Sequence, residues 1–143
     1  MRNFPEYPIL LMGIVSIGAI VVFVNAWWTT SEMEYGFNDS AAKICFADNE
    51  RLNVILPFSK DHGVKLIGIR SEHGKNVLDY EKDVASYPSK NLRVPNIDPK
   101  DDFGIMYTSG STGNPKGVVL THRGAISAVF SWLMMEKLSL IHI

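Results

Sequence analysis

Several features that mark particular protein classes are scarce in this sequence. A single cysteine, Cys45, excludes a disulfide framework within the chain and cannot by itself build a thiolate metal site. Fourteen lysine and arginine residues are balanced by fifteen aspartate and glutamate residues. The net charge of -1 therefore provides neither the basic surface that nucleic acid binding requires nor a polybasic membrane patch. The chain has 143 residues, of which 46% are hydrophobic, and this content is too high for a disordered protein. Its length suits one small domain, and together these features indicate a reduced, globular, intracellular protein.

The apolar run from Ile9 to Val24 allows two interpretations. It is uncharged and 16 residues long, which is short of the about 20 residues that a membrane span requires. Arg2 before it and Trp27 and Trp28 after it resemble the flanks of a span, and the chain would then be a small membrane-anchored protein without catalytic activity. A signal peptide is disfavoured because Glu6 precedes the run and no small-residue cleavage site follows it.

The second interpretation divides this run between a helix and a strand. Asn3 with Glu6 three residues later can cap a helix, and Pro5 suits the first turn of that helix. Gly18 can end the helix, and residues 19–24, which are rich in β-branched side chains, then predict a buried strand. We favour this interpretation over a membrane span through residues 9–24.

Downstream of the run, helical and strand patterns alternate. Thr29 with Glu32 forms a capping box for a short helix, and Asp48 caps the next helix, which Pro57 is expected to end. Strands are predicted near residues 20, 44 and 66, with helices between them. The alternation of nearly continuous apolar strands with helices predicts βαβ units around a parallel sheet, and hence an α/β fold.

Residues 71–101 have a different character, because they are polar, contain three prolines and lack sustained periodicity. They predict a long connection with one helical turn between Val77 and Val84. Strands are predicted over residues 103–107 and 118–120, and a helix follows. The apolar residues of that last helix recur at helical spacing and predict one strongly apolar face: Ile126, Val129, Phe130, Leu133 and Met134.

The loop between the last two predicted strands carries the clearest chemical signal. Residues 108–117 contain three glycines, four hydroxyl side chains and one lysine, Lys116. Glycines allow backbone N–H groups to approach an anion, and the hydroxyls and the lysine add donors and charge, so the composition suits a polyphosphate. The Walker pattern does not fit, because Pro115 precedes the lysine and Gly117 follows it. A Gly/Ser turn in a β-hairpin is the alternative that composition alone leaves open.

The run IMYTSGSTGNPKGVVLTH, from Ile105 to His122, resembles the phosphate-loop motif of the AMP-forming acyl-CoA synthetase superfamily. That superfamily includes fatty-acid–CoA ligases, luciferases and nonribosomal-peptide adenylation domains, and its fatty-acid–CoA ligases are the members that the chain resembles. Phe23 departs from a proline often found at its position in the family. The upstream segments that also resemble the family are NFPEY (3–7), GAIVV (18–22), NAWW (25–28), EYG (34–36) and DSAAK (39–43).

The resemblance implies a fold and a reaction. Residues 1–137 would be part of the family's large N-terminal AMP-binding domain, in which the first helix packs on a sheet. A carboxylate would attack the α-phosphate of ATP to give an acyl-adenylate and pyrophosphate, and CoA or a carrier thiol would then displace AMP. The residues that the resemblance assigns to the β- and γ-phosphates of ATP are Thr108, Ser109, Gly110, Ser111, Thr112, Gly113 and Lys116.

The same resemblance implies ATP, Mg²⁺, CoA and a small-molecule carboxylic acid as cofactors and partners, in the cytoplasm. The family's aromatic-Gly-x-Thr-Glu motif, whose glutamate would hold Mg²⁺, is not found after the loop, and neither is the lysine of the C-terminal domain. We therefore expect an internal fragment that is inactive alone, with no catalytic residue or metal ligand of its own and a Met1 that is not the native start. Residues 138–143 (LSLIHI) match the translation of a sequencing-library adaptor and predict a non-native tail, with an ordinary apolar tail as the alternative.

Other candidate residues have simpler interpretations. A hydrolase triad of Ser111, His122 and Asp101 or Asp102 is disfavoured, because the sequence has no G-x-S-x-G element. Cys45 is predicted to be a small core residue. Trp27 and Trp28 are predicted to be packing residues. The histidines that lack the spacing of metal ligands are His62, His73, His122 and His142.

Overall fold

A computed structural model describes residues 1–72, 74, 76–88, 94–108 and 113–135 of the chain. The predicted tail at 138–143 lies outside these residues. In chain order the elements are α1 (Glu6–Ser16), β1 (Val21–Phe23), α2 (Thr30–Ser40), β2 (Ile44–Asp48), α3 (Asn49–Ser59), β3 (Lys65–Ile69), β4 (Val77–Asp79), a π-helix (Tyr80–Ala85), β5 (Asp102–Thr108), β6 (Lys116–Thr121) and α4 (His122–Met135).

The strands of the described residues form two three-stranded sheets. In the first sheet, β3 lies between β2 and β4, and both pairs are parallel. In the second sheet, β5 lies between β1, to which it is parallel, and β6, to which it is antiparallel. Helices and parallel strands together confirm the predicted α/β class. The expectation that the strands near residues 20, 44 and 66 share one sheet is wrong.

The pairing of β1 with β5 explains this difference. Val21 lies opposite Gly104, and a Cβ atom on Gly104 would be 2.8 Å from Cε2 of Phe23 and 3.0 Å from the backbone oxygen of Val21. The missing side chain of Gly104 therefore allows β1 to approach β5 closely. This contact joins residues that are distant in sequence, so local patterns contain no signal for it.

Side chains cover the first sheet on both of its faces. Successive residues of a strand point to opposite faces, and Leu66 and Ile67 of β3 accordingly enter two different apolar clusters. The rings of Phe37 and Phe58 pack edge to face in the first cluster, with centroids 5.6 Å apart. The first cluster consists of Met33, Phe37, Ala47, Leu52, Ile55, Phe58 and Leu66, and the second of Ile67, Ile69 and Tyr80.

The apolar run at residues 9–24 is divided between α1 and β1, as the favoured interpretation predicts. Gly18 has φ +72°, and its N–H donates to the Val15 oxygen while the N–H of Ala19 donates to the Ile14 oxygen. These two bonds form a Schellman motif, which ends the helix at the expected place. The strand is shorter than expected and only half-buried. Within the described residues, no helix has the length and hydropathy needed to cross a membrane.

The predicted cap of α1 is wrong. Pro5 is the N-cap residue and makes no side-chain cap, so Asn3 does not have the predicted role. Glu6 instead accepts a hydrogen bond of 2.9 Å from Nε of Arg70, which follows β3. This bond lowers the pKa of Glu6 and attaches the start of α1 to the end of a strand.

Two further predictions need correction. Pro57 does not end α3, which continues to Ser59, because the proline lies in the last turn and burial of Phe58 favours continuing the helix. Residues 77–79 form the strand β4, and the π-helix follows it, where one helical turn was expected. A Cβ atom on Gly68 would lie 3.2 Å from Cγ1 of Val77, so the glycine leaves room for β4 to pair with β3.

The helix predicted after the last strand is present as α4. None of its residues is buried in the described part of the chain. The helix is confirmed, and the described residues do not cover its predicted apolar face. Ile126, Val129 and Phe130 are each more than half exposed.

Candidate functional site

The candidate phosphate loop connects two antiparallel strands. Thr108, the last residue of β5, lies opposite Lys116, the first residue of β6, and we call this pair the hairpin end. The hydroxyl of Thr108 donates to the backbone oxygen of Lys116 at 3.4 Å. Both side chains are exposed. The strand predicted after the loop is confirmed, and it pairs antiparallel with β5.

The structure describes three of the seven predicted phosphate-binding residues. Thr108 and Lys116 are brought together at the hairpin end, and Gly113 has φ +151°, a conformation that favours glycine. The other four predicted residues lie outside the described residues: Ser109, Gly110, Ser111 and Thr112.

Tyr107, which directly precedes Thr108, connects the hairpin end to helix α2. Its ring packs edge to face against Trp28, with centroids 5.3 Å apart. Its hydroxyl donates to Oδ2 of Asp39 at 2.6 Å. Burial and the neighbouring Asp39 carboxylate raise the pKa of Tyr107, so its hydroxyl remains protonated and able to donate. The packing role predicted for Trp28 is confirmed, whereas Trp27 is 81% exposed and is not a core packing residue. Sequence reasoning missed the contact between Tyr107 and Asp39.

Two glycines make room for this aromatic pair. A Cβ atom on Gly36 of α2 would be 2.7 Å from Cζ3 of Trp28. A Cβ atom on Gly117, opposite Tyr107 in the hairpin, would be 3.4 Å from the ring of Tyr107 and 3.0 Å from Cγ2 of Ile105. The two rings therefore occupy space that a larger residue at either position would fill.

We expect Gly36→Ala to have a free energy of unfolding about 1–3 kcal/mol lower than Gly13→Ala, because the new methyl group at residue 36 displaces the rigid ring of Trp28. Both substitutions gain the roughly 1 kcal/mol by which alanine favours a helix over glycine, so this gain cancels in the comparison. Gly13→Ala in α1 is the matched control, since nothing lies within 4 Å of its Cβ position. Urea unfolding of both variants checks the prediction, and equal stability of the two would contradict it.

Other titratable groups lie away from the hairpin end. Cys45 is half-buried and packs against the first apolar cluster, and burial raises the pKa of its thiol to about 12, in agreement with a structural role. His122 begins α4, and its ring packs against Phe103 at 5.5 Å. In the described part of the chain, no group of three or more His, Cys, Asp or Glu side chains is placed to hold a metal ion.

Comparison with known proteins identifies the class of protein. Residues 1–141 match the family model described as AMP-binding enzyme, and the chain therefore belongs to this family, the AMP-forming acyl-CoA synthetase superfamily. The chain is 32% identical over 128 residues to the acetyl-coenzyme A synthetase of Bacillus subtilis (strain 168), covering 88% of this chain and 22% of that protein. It is 28% identical over 133 residues to a 4-coumarate–CoA ligase of Vanilla planifolia, covering 90% of this chain and 24% of that protein.

A solved structure agrees with these relatives. The anthranilate CoA ligase AuaEII, solved in complex with anthranoyl-AMP, superposes with a TM-score of 0.76 at 26% identity, covering 82% of this chain and 23% of that chain. The chain thus spans about a quarter of the length of each of these proteins.

Proposed function

We propose that residues 1–137 are part of the AMP-binding domain of an AMP-forming ligase. The whole protein would activate a carboxylic acid with ATP to an acyl-adenylate and transfer the acyl group to CoA. Family membership and the CoA ligases among the relatives support this proposal. The cytoplasm is the compartment that we propose, because ATP and CoA are both available there.

The observation that carries the proposal is the hairpin end. It places the hydroxyl of Thr108 and the ammonium group of Lys116 on the two strands that the loop joins, and both side chains are accessible. Negative charge moves onto pyrophosphate as it leaves the α-phosphate, and donors fixed in advance at that position lower the barrier. We propose that Lys116 supplies charge to the leaving phosphates. The loop hydroxyls and glycines supply hydrogen bonds, and so does Thr108 once its hydroxyl turns from the backbone oxygen of Lys116 to the phosphate.

Part of the reaction needs groups that the described residues do not provide. The family resemblance assigns Mg²⁺ to a glutamate, and adenylation to a lysine, in motifs that this sequence does not contain. We therefore propose that the 143-residue chain binds phosphates without completing the ligase reaction.

Titration of the ¹⁵N-labelled chain with inorganic tripolyphosphate tests this function. The backbone amide signals of Gly113 and Lys116 are expected to shift and reach saturation, because the polyphosphate binds at the hairpin end. Gly63, which has a positive φ of 62° before β3, serves as the control glycine and is expected to stay unchanged.

Sodium chloride at the same ionic strength separates binding from screening of charge. Equal shifts in salt and in tripolyphosphate would contradict the phosphate site. The same preparation is expected to show no carboxylate-dependent ATP–pyrophosphate exchange, and measurable exchange would contradict the proposal that the chain is incomplete for the reaction.

A further inference from the structure

We propose that Tyr107 and Asp39 are positioning residues, which fix the hairpin end relative to α2 and so orient Thr108 and Lys116 for phosphate. This inference rests on the proposed function, and it assigns a role to two residues outside the phosphate loop. It concerns how the donors are held in place.

The register of the hairpin places Tyr107 next to both donors. Tyr107 precedes Thr108 in β5, and it lies opposite Gly117, which follows Lys116 in β6. A contact that holds Tyr107 in place therefore also restrains the last two residue pairs of the hairpin, Tyr107 with Gly117 and Thr108 with Lys116.

The other side of the contact is a fixed part of the fold. The Tyr107 hydroxyl donates to Asp39 Oδ2 at 2.6 Å and lies 3.4 Å from the backbone oxygen of Gly36, one turn earlier in α2. Helix α2 is anchored by Met33 and Phe37, which are both buried in the first apolar cluster. Its N-terminus is fixed by the capping box of Thr29. The hydrogen bond thus joins the hairpin end to a helix that cannot shift without opening the core.

The hairpin end has little other support in the described residues. Val118 and Val119 of β6 are exposed, and β6 pairs only with β5 there. Thr108 and Lys116 also point their side chains into accessible space. Because an edge strand with exposed residues on both faces gains little from packing, we attribute the restraint of the hairpin end, beyond the β5–β6 pairing itself, to the contact of Tyr107 with α2. Donors that are fixed before binding lose less entropy when the phosphate arrives.

The test compares Tyr107→Phe with Tyr87→Phe in the 143-residue chain. The first substitution removes the hydroxyl and keeps the ring on Trp28, whereas Tyr87 is 73% exposed and serves as the matched control. We expect Tyr107→Phe to raise the dissociation constant for inorganic tripolyphosphate roughly three- to tenfold, the range for the loss of one hydrogen bond. Tyr87→Phe is expected to leave it unchanged, and so to show that a lost hydroxyl alone has no effect.

Two substitutions of Asp39 separate the hydrogen bond from the charge. Asp39→Asn and Asp39→Ala remove the same negative charge, but only asparagine keeps an oxygen that accepts from Tyr107. We expect the alanine variant to bind tripolyphosphate roughly three- to tenfold more weakly than the asparagine variant. In the Tyr107→Phe background this difference should vanish, because the donor is already gone. A merely structural role of Asp39 would leave the difference in place.

Hydrogen–deuterium exchange in the absence of ligand gives an independent measurement. The backbone amides of segments 104–108 and 116–120 are expected to exchange faster in Tyr107→Phe than in Tyr87→Phe. Wild-type affinity together with wild-type exchange in Tyr107→Phe would overturn the positioning role. Faster exchange in a chain whose wild-type form binds no tripolyphosphate would overturn the phosphate function and support the contact with α2.

Discussion

Replacing Lys116 with alanine is expected to weaken tripolyphosphate binding about 10- to 150-fold. The substitution removes a charge-assisted hydrogen bond, which contributes roughly 1.5–3 kcal/mol. Isothermal titration calorimetry of the 143-residue chain measures the effect. In a complete ligase the loss should fall on the adenylation half-reaction, with thiolysis of a supplied acyl-adenylate unaffected, because Lys116 is proposed to contact only the leaving phosphates.

Two further variants serve as controls. One loses a positive charge elsewhere in the chain, and the other keeps the positive charge at residue 116. Lys60→Ala also removes one positive charge, from an exposed residue that follows α3, and is expected to change the affinity less than about twofold. Lys116→Arg should recover only part of the affinity, because a planar guanidinium does not replace a compact ammonium group in a glycine-rich loop. Equal affinity of the Lys60→Ala and Lys116→Ala chains would remove the phosphate role of Lys116.

The second large effect is expected for Asp48→Ala, which should lower the free energy of unfolding by about 3 kcal/mol. Asp48 accepts hydrogen bonds from the backbone N–H groups of Arg2 and Arg51, at 2.8 Å and 3.1 Å. It also lies 3.4 Å from Nη1 of Arg51, and these two side chains are only 7% and 6% exposed. Alanine therefore removes the cap of α3 and weakens the pairing of a buried arginine. Asp48→Asn is the control, since its amide oxygen can still cap the N–H of Arg51, while the charge and the second acceptor, which bonds the N–H of Arg2, are lost.

Acid unfolding gives a second measurement of the same carboxylate. Burial opposes ionisation of Asp48, but the N–H groups of Arg51 and Arg2 outweigh burial and lower the pKa below its ordinary value. A lowered pKa means that the stabilisation is fully present above the pKa of the unfolded chain and is lost as the pH falls through the folded value. Asp48→Asn should therefore lose less stability than the wild type over this acidic interval. If the difference in the free energy of unfolding between wild type and Asp48→Asn were the same at pH 7 and at pH 3, this role of Asp48 would be contradicted.

Local sequence signals predicted three of the helix ends. The capping box of Thr29 and Glu32, the cap at Asp48 and the stop at Gly18 all depend on residues within one turn, and all three are confirmed. The strands around the phosphate loop were also predicted, because their apolar residues are contiguous. The prediction that Pro57 ends α3 is wrong, because burial of Phe58 outweighs the local tendency of proline to end a helix.

Contacts between distant residues could not be predicted in this way. Nothing near Tyr107 in the sequence indicates Asp39, which is 68 positions earlier, and nothing near Val21 indicates Gly104. The strand β4 was missed for a similar reason, because it is only three residues long and is defined by its pairing with β3. The sequence therefore indicated the proposed phosphate donors, while the contact of Tyr107 with α2 needed the structure.

The pairing of Val21 with Gly104 also has a consequence for the order of folding. The first sheet and its two helices come from one continuous stretch, so its contacts close short loops and can form early. The second sheet needs β5, which is made only after a long connection, before β1 has a partner. During synthesis β1 therefore lacks its partner β5 at a stage when the residues of the first sheet are already available to fold. The hairpin end is completed after the first sheet, so we expect substitutions that slow this step to reduce the yield of folded protein without changing the site.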